Sequence, residues 1–453
     1  MKVFIKNRII KKSGNIAILV LIIGIVILLS VTVLASFLIK DINFIKQDEK
    51  KLKALNFAEA GISNFFLEII KYSHGETEGL PQSPFTGEII NNAEVIGTYE
   101  ISYTFNPSDE NSYNMSSYDI ISKGIDATGT ERLVKVSISL ADMYDFVFSF
   151  NSVNTGDIIP SKSGVYGPFF TQGRLNLGGS AGFYGGPLIV GGDIIVGGNS
   201  QIGTSAEPLD LFLGGEARDG SGRVINLTDN YQAENIYIRN FSDELIDIDN
   251  LIIDDNYFEE IVSHGAATVD GNLTITATSI NPVPANQDAN NYIRIENNKL
   301  KISGNILVNG NIVFGSKNTK QNIIYEGKGN LISKNNIIDY ARIVPSNISP
   351  GFFPDNDLLV LTALKDISFL TGTFSSTSYE NPNAACAAIA GNKIITENNE
   401  YIRGLLIGNE IILSRNTKIY YENNISHSLP LNVPKTNFII FNKYWQELPL
   451  AQQ

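Results

Sequence analysis

The sharpest contrast between apolar and polar positions lies at the start of the chain. No charged residue occurs over the 27 positions from Ser13 to Ile39, and Ile16–Leu29 is an almost unbroken run of Ile, Leu, Val, Ala and Gly. About 20 such residues cross the hydrocarbon layer of a bilayer as a helix. A helix buried in a soluble core seldom stays apolar on every face for that length. Beyond Lys40 the pattern turns amphipathic. Ile42, Ile45, Leu52, Leu55, Phe57, Ile62, Phe65, Phe66, Ile69 and Ile70 recur near helical spacing among Lys, Gln, Asp and Glu. No proline occurs before Pro81. One helix is therefore expected from about Ile16 to about Ser73, roughly 85 Å long at 1.5 Å per residue.

The pattern then changes period. Gly75 to Asn92, with Gly79-Leu80-Pro81-Gln82-Ser83-Pro84, reads as linker or loop. Tyr99–Phe105, Tyr118–Ile125 and Leu133–Leu140 alternate as strands, and Asp126-Ala127-Thr128-Gly129-Thr130 reads as the hairpin loop between the last two. Packing this sheet on the outer half of the helix would bury Phe65, Phe66, Ile69 and Ile70. From about residue 160 short β-branched runs alternate with Gly and Asn. Gly167–Ser180 recurs 19 residues later as Gly186–Asn199, and related fragments lie at Val269–Ile275, Val308–Gly315 and Ile407–Leu413. Units of about 20 residues cannot bury an apolar face alone, so stacked copies must supply each other's core. Gly and Asn stand where the chain turns, because they tolerate positive φ. A parallel β-helix or similar solenoid is expected for about 160–430. A β-sandwich with glycine-rich hairpins is the alternative, since the copies are unevenly spaced and Asn226–Ile261 does not fit the repeat.

Charge and cysteine narrow the partners. The chain has 34 basic and 47 acidic residues, and five of the cations (Lys2, Lys6, Arg8, Lys11, Lys12) precede the apolar run. The remainder carries a formal −18, which repels phosphate backbones and disfavours nucleic acid. The cationic flank stays cytoplasmic by the positive-inside rule, so everything after Lys40 is expected outside. An ordinary signal peptide fits poorly: the apolar run is too long and no A-x-A-like site follows it. The lone Cys386, in Ala384-Ala385-Cys386-Ala387-Ala388, can form neither an intramolecular disulfide nor a Cys-rich metal site, and is expected to be buried.

The N-terminal residues also resemble a known family. A short basic leader, then Lys11-Lys12-Ser13-Gly14 and at once an apolar helix, resembles the class III signal of type IV pilin-like proteins. Ala54-Leu55-Asn56-Phe57-Ala58-Glu59-Ala60-Gly61-Ile62 resembles the "AEAGL" stretch of PilX-type minor pilins. The resemblance covers roughly residues 1–70. It implies cleavage after Gly14 by prepilin peptidase, leaving Asn15 first, and lateral packing of the helix among other pilin-like subunits. Two positions depart from major pilins: the first mature residue would be Asn15 rather than Phe, and the fifth Leu19 rather than Glu. The missing Glu resembles minor subunits placed at a tip. A plain signal anchor is the alternative.

Catalytic signatures are sparse. Gly178-Gly179-Ser180-Ala181-Gly182 matches G-x-S-x-G, but that motif needs a strand-to-helix elbow and a His partner, and Asn199 fills the Ser180 position in the next copy. Gly310–Lys317 imitates a phosphate loop with Ser316 and Lys317 in the wrong order. His74, His264 and His427 are isolated. Asp247, Asp249, Asp254, Asp255, Glu259 and Glu260, with Asp355 and Asp357, are expected to form solvated acidic surface, without the glycine of a calcium loop. The many Tyr residues suit either a carbohydrate or protein contact, or aromatic stacks within a β-helix. Trp445-Gln446-Glu447-Leu448-Pro449 suits a cap over an open solenoid end.

The expected plan is α+β: leader 1–14, transmembrane and extended helix 15–75, small antiparallel subdomain 76–150, and Gly/Asn-rich solenoid-like domain 151–453. The expected function is a non-enzymatic minor pilin or pseudopilin-like subunit in the cytoplasmic membrane. Its β domain would serve assembly or adhesion, with a surface or carbohydrate ligand possible and with no catalytic, cofactor or metal residues assigned. The rival is a membrane-anchored β-helix enzyme or binding protein acting on polysaccharide.

Overall fold

A computed structural model describes residues 4–73, 79–106, 116–141, 143–149, 157–204, 209–227, 233–238, 253–349, 352–371, 377–397, 399–422, 424–430, 432–434 and 439–448. The chain opens with one unbroken helix, α1 (Phe4–Ser73). No proline or glycine pair interrupts it, and no kink would be expected. Its two parts meet different surroundings. Ile18 to Lys50 is exposed along its whole length, whereas Ala54, Phe57, Ala58, Ile62, Phe65, Phe66 and Ile69 are buried.

What buries them is an antiparallel sheet. β1 (Phe85–Asn91), β2 (Glu94–Asn106), β3 (Ser116–Asp126) and β4 (Glu131–Ala141) pair in succession. Ile101, Ile120, Val134, Val136 and Ile138 meet the helix in one apolar cluster. The helix lies so close to β3 that a Cβ on Gly124 would stand 2.0 Å from the Ala54 carbonyl oxygen. The expected hairpin loop closes around Asp126, whose Oδ1 accepts the Thr128 and Thr130 amides at 2.9 and 2.8 Å. Burial alone would raise this carboxyl, but those bonds prevail and hold it below its usual value. One local reading needs correcting. The expected linker Gly75–Asn92 contains β1, because the alternation of Phe85 to Ile90 lets it cover one more register of β2.

The fifth strand of this sheet comes from the far end of the chain: Ile439–Leu448 pairs antiparallel with β4. Trp445 therefore belongs to the small sheet, opposite Val136, and does not cap a solenoid end. The large domain is threaded between two neighbouring strands.

That domain is a three-faced parallel β-helix. The parallel pairing excludes the sandwich alternative. Strands on the first face pair as Phe169–Thr171 with Leu188–Val190, and Lys328–Ser333 with Leu358–Ala363. The third face pairs Leu175–Leu177 with Ile194–Val196, and Ile312–Phe314 with Ile337–Asp339. Coil length varies: 19 residues separate Phe169 from its partner Leu188, against 25 between Ile306 and Leu331. The longer coils carry excursions at their corners, which obscures the repeat in sequence.

The coils do not stack in chain order. The first coil of segment 147–238 rests on the last coil of segment 267–422: Phe148 pairs with Ile407 on the first face, and Gly164, Val165 and Tyr166 pair with Lys418, Ile419 and Tyr420 on the second. The chain enters the rod at its middle and winds outward. It passes through 239–252, outside the described residues, and restarts at Ala267–Val269 at the opposite end. From there it winds back to the middle. The entry and exit points are tied together, with Tyr421 Oη donating to the Tyr144 carbonyl at 3.0 Å and Gly164 N to the Thr417 carbonyl at 3.0 Å.

Segment 253–266 explains the stretch that fits no repeat. α2 (Asp255–Ser263) is capped by Asp254, whose Oδ1 accepts the Tyr257 amide at 2.9 Å. It lies over the outside of the first face, where Asn330 Nδ2 donates to Tyr257 Oη at 3.4 Å and Thr362 Oγ1 to Asn330 Oδ1 at 2.9 Å. Every residue of Leu358–Ala363 and Ala384–Ala390 is buried, which is why they read as nearly continuous apolar runs.

One corner of the rod joins the two segments' chemistry. In segment 267–422 the residue before each third-face strand bonds the next coil: Asn272 Oδ1 accepts Asn311 N at 2.8 Å, Asn311 Oδ1 accepts Asn336 N at 3.1 Å, and Asn336 Oδ1 accepts Asp366 N at 3.2 Å. Asp366 Oδ1 then accepts Asn392 Nδ2 at 2.7 Å. In segment 147–238 the same corner is Gly191-Gly192-Asp193 and Gly214-Gly215-Glu216. There the backbones press together: a Cβ on Gly214 would lie 2.2 Å from the Gly191 carbonyl oxygen.

Candidate functional site

The first candidate is the exposed part of α1. It is long and apolar enough to cross a membrane. Its few polar groups bond within the helix: Ser30 Oγ donates to the Val26 carbonyl and Thr32 Oγ1 to the Leu28 carbonyl, both at 2.8 Å. That is what hydrocarbon demands, since no water is there to satisfy them. Above the apolar run the surface turns charged, with the Lys53–Glu49 pair at 2.8 Å and Lys51–Asp48 at 3.4 Å. Gly14 and Asn15 lie within α1, at the lower edge of the apolar run.

The second candidate is the tyrosine-bearing second face of the β-helix. Tyr184, Tyr166 and Tyr420 stack outside the sheet, with centroids 4.8 and 4.6 Å apart. Tyr379 closes the stack edge-on at 5.3 Å from Tyr420. The faces of Tyr166 thus meet those of Tyr184 and Tyr420, and Tyr184 Oη donates to Gln201 Oε1 at 2.7 Å. The stack crosses the junction between the two segments, since Tyr420 belongs to one and Tyr166 and Tyr184 to the other. Beside it Arg403 is buried, with its guanidinium 4.3 Å from the Tyr379 ring centre and 5.5 Å from that of Phe353. Arg403 also pairs with Glu422 and donates to the Ile348 carbonyl at 2.9 Å. The corner excursion around Phe353 is pinned to the face in this way.

The catalytic look-alikes dissolve into turns. Ser180 Oγ lies 2.7 Å from Ser161 Oγ, and Lys162 N donates to it at 3.1 Å. His264 lies against the Glu260 carbonyl, and His427 against Ser426; His74 is outside the described residues. Gly315 opens a turn with φ +67°, and the run Gly310–Lys317 contains the strand Ile312–Phe314. Asp247 and Asp249 also lie outside the described residues. Asp357 accepts the Gly327 amide at 2.8 Å, and Asp355 the Ser428 hydroxyl at 3.1 Å. Among the described residues no three His, Cys, Asp or Glu side chains come together as a metal would need. Cys386 is buried, and burial pushes its thiol up.

One feature had no sequence signal. Asp339 and Glu400, 61 residues apart, are both wholly buried at the corner between the third and second faces. Glu400 accepts the Thr371 amide at 2.9 Å and the Thr371 hydroxyl at 2.6 Å. Asp339 Oδ1 accepts the Ala341 amide at 2.9 Å, while its Oδ2 meets no donor among the described residues. Burial first, and the nearby Glu400 charge in addition, raise the Asp339 carboxyl well above its usual value.

No family model matches the chain, and no curated protein matches it. Among solved structures, the chain is similar to the competence-associated pilin ComZ from Thermus thermophilus. The two share 12% identity with a TM-score of 0.45, over 88% of this chain and 97% of that one.

Proposed function

We propose that this chain is a non-enzymatic, membrane-anchored subunit of the minor pilin or pseudopilin kind. In this reading the leader is removed after Gly14 by prepilin peptidase, and the new N-terminus is Asn15. The helix sits in the cytoplasmic membrane with its charged start inside. It packs beside other pilin-like helices, and the β-helix is displayed outside for assembly or surface contact. One observation carries the reading. A single helix is exposed from Ile18 to Lys50 and uncharged as far as Ile39, and over its second half is roofed by an antiparallel sheet. A soluble protein would have to hide that stalk, and a simple signal anchor has no use for its rigid continuation into a sheet.

The test is the N-terminus of the protein recovered from membranes. Asn15 is the expected first residue. An intact Met1, or a cut beyond residue 35, would overturn the processing step. Deleting residues 15–40 is expected to abolish membrane retention and incorporation into filaments; a truncated chain still found in filaments would remove the reading altogether.

A further inference from the structure

We propose that the tip of the β1–β2 hairpin, Ile90 to Val95, is a second contact with the membrane: it rests on the lipid surface and decides which way the stalk leans. The inference rests on the reading of α1 as a membrane span. The hairpin turns through Asn92 and Ala93, both at positive φ, and just behind the turn Ile90 pairs with Val95. These two side chains are 61% and 45% exposed. Neither belongs to the apolar cluster that joins the sheet to the helix. The register fixes where the tip stands. A Cβ on Gly97 would meet the Phe57 ring at 2.2 Å, one on Gly61 would lie 3.0 Å from the Tyr99 and Ile101 side chains, and the Phe65 and Tyr103 rings are 4.8 Å apart. β2 therefore climbs beside α1 in the same direction, and the turn before it points back towards the apolar run. Ile89 is the partner of Gly97, and from Ile89 to Asn92 the chain descends about 10 Å at 3.3 Å per residue. That equals about seven residues of helix at 1.5 Å each, which sets the tip beside Lys46–Lys50. Ile42, Phe44 and Ile45 carry the exposed apolar surface of α1 past Lys40 almost to the same level.

The length of the span makes a lean necessary. The 27 uncharged positions from Ser13 to Ile39 measure about 40 Å as helix, against about 30 Å of hydrocarbon. Such an excess is relieved by tilting. A helix that is apolar on every face favours no direction of tilt, but the sheet stands on one side of this one. Leaning to that side by about 40° fits the run into the hydrocarbon and lowers the hairpin to the headgroups. The strand positions behind the tip are polar, with Thr86, Glu88, Thr98 and Glu100, so the apolar character is confined to the end that reaches down. Phe105, exposed at the far end of β2, packs on the Tyr118 ring at 4.9 Å. Glu88 and Glu94 flank the tip and supply no attraction to acidic lipid. The contact is apolar, and a zwitterionic surface suffices.

Cys386 is wholly buried, so a thiol-reactive nitroxide will label an introduced cysteine alone. The full-length protein is placed in phosphatidylcholine vesicles, and each label's access to oxygen, which enters lipid, is compared with its access to a water-soluble nickel chelate. Leu28→Cys reports the span, and Lys365→Cys reports an exposed corner of the rod. Ile90→Cys and, as a second site, Val95→Cys are expected at the headgroup boundary, with an oxygen-to-nickel ratio about threefold that of Lys365→Cys. Adding Val95→Asp to Ile90→Cys should return the ratio to the Lys365→Cys value. A water-like ratio at both hairpin sites with Leu28→Cys in lipid overturns this inference and leaves the anchor standing. A water-like ratio at Leu28→Cys overturns the anchor and this inference with it. Hairpin labels shielded from both reagents show a protein surface over the tip, a second copy included, and also overturn it.

Discussion

Segments 147–238 and 267–422 build one rod around one core, yet they fasten the same corner by different means. Amide-to-carbonyl bonds join the coils in both, as from Gly214 N to the Val190 carbonyl at 2.8 Å and from Leu364 N to the Ser333 carbonyl at 3.0 Å, but the first removes side chains, so that at Gly191 and Gly214 successive coils touch backbone to backbone. The second keeps side chains and links the coils through Asn272, Asn311, Asn336 and Asp366. The glycine corner tolerates nothing added. The amide corner carries Asn335 and Lys365 at its middle position, but it has close glycine contacts of its own, since a Cβ on Gly310 would lie 2.5 Å from the Gly271 carbonyl oxygen and one on Gly391 2.4 Å from that of Leu364. Asp193, accepting Glu216 N at 2.9 Å, carries the second device into the first segment. One backbone shape thus combines two devices, the steric one prevailing in the first segment and the bonded one in the second, with Asp193 and Gly391 as the crossovers.

Substitutions can separate the two. Gly214→Val forces a side chain against the Gly191 carbonyl, which as backbone cannot swing away. It should cost the most, about 3 kcal/mol, seen as a lower denaturant midpoint. Asn336→Ala leaves the Asp366 amide without its acceptor and should cost about 2 kcal/mol by the same measurement. If Asn336→Ala proved harmless, the ladder would be decoration, and the contrast between the segments would collapse. Lys365→Ala, at the exposed middle of the bonded corner, should stay within about 0.5 kcal/mol.

Much of this fold was legible in the sequence because it rests on local periodicity. The stalk announces itself by the absence of charge from Ser13 to Ile39. The small sheet announces itself by alternation, and the 19-residue spacing of Gly167 and Gly186 equals the register between Phe169 and Leu188. What stayed hidden depends on contacts between distant positions. The strand Ile439–Leu448 alternates no better than many loops, and only its pairing with β4 gives it meaning. The order of coils cannot be read locally, because Tyr420 and Tyr166 are 254 residues apart and look like neighbours of nothing. The burial of Asp339 and Glu400 was invisible too: Asp339 follows Ile337-Ile338 as a strand end, and Glu400 follows Glu397-Asn398-Asn399, where a carboxylate reads as surface turn. Among the proposed site residues, Gly14 and Asn15 rest on the leader pattern alone, since helix geometry at that point distinguishes no cleavage position.

The seam at the rod's midpoint has a consequence for how the molecule comes into being. During synthesis the coils of 147–238 emerge before the surface on which they must rest, because Tyr401–Tyr421 is among the last stretches made. An unfinished chain lacking that tail would lose its central rung and the outermost strand of the stalk's roof together. Completeness of the polypeptide is thereby checked at two places by a single late-arriving piece.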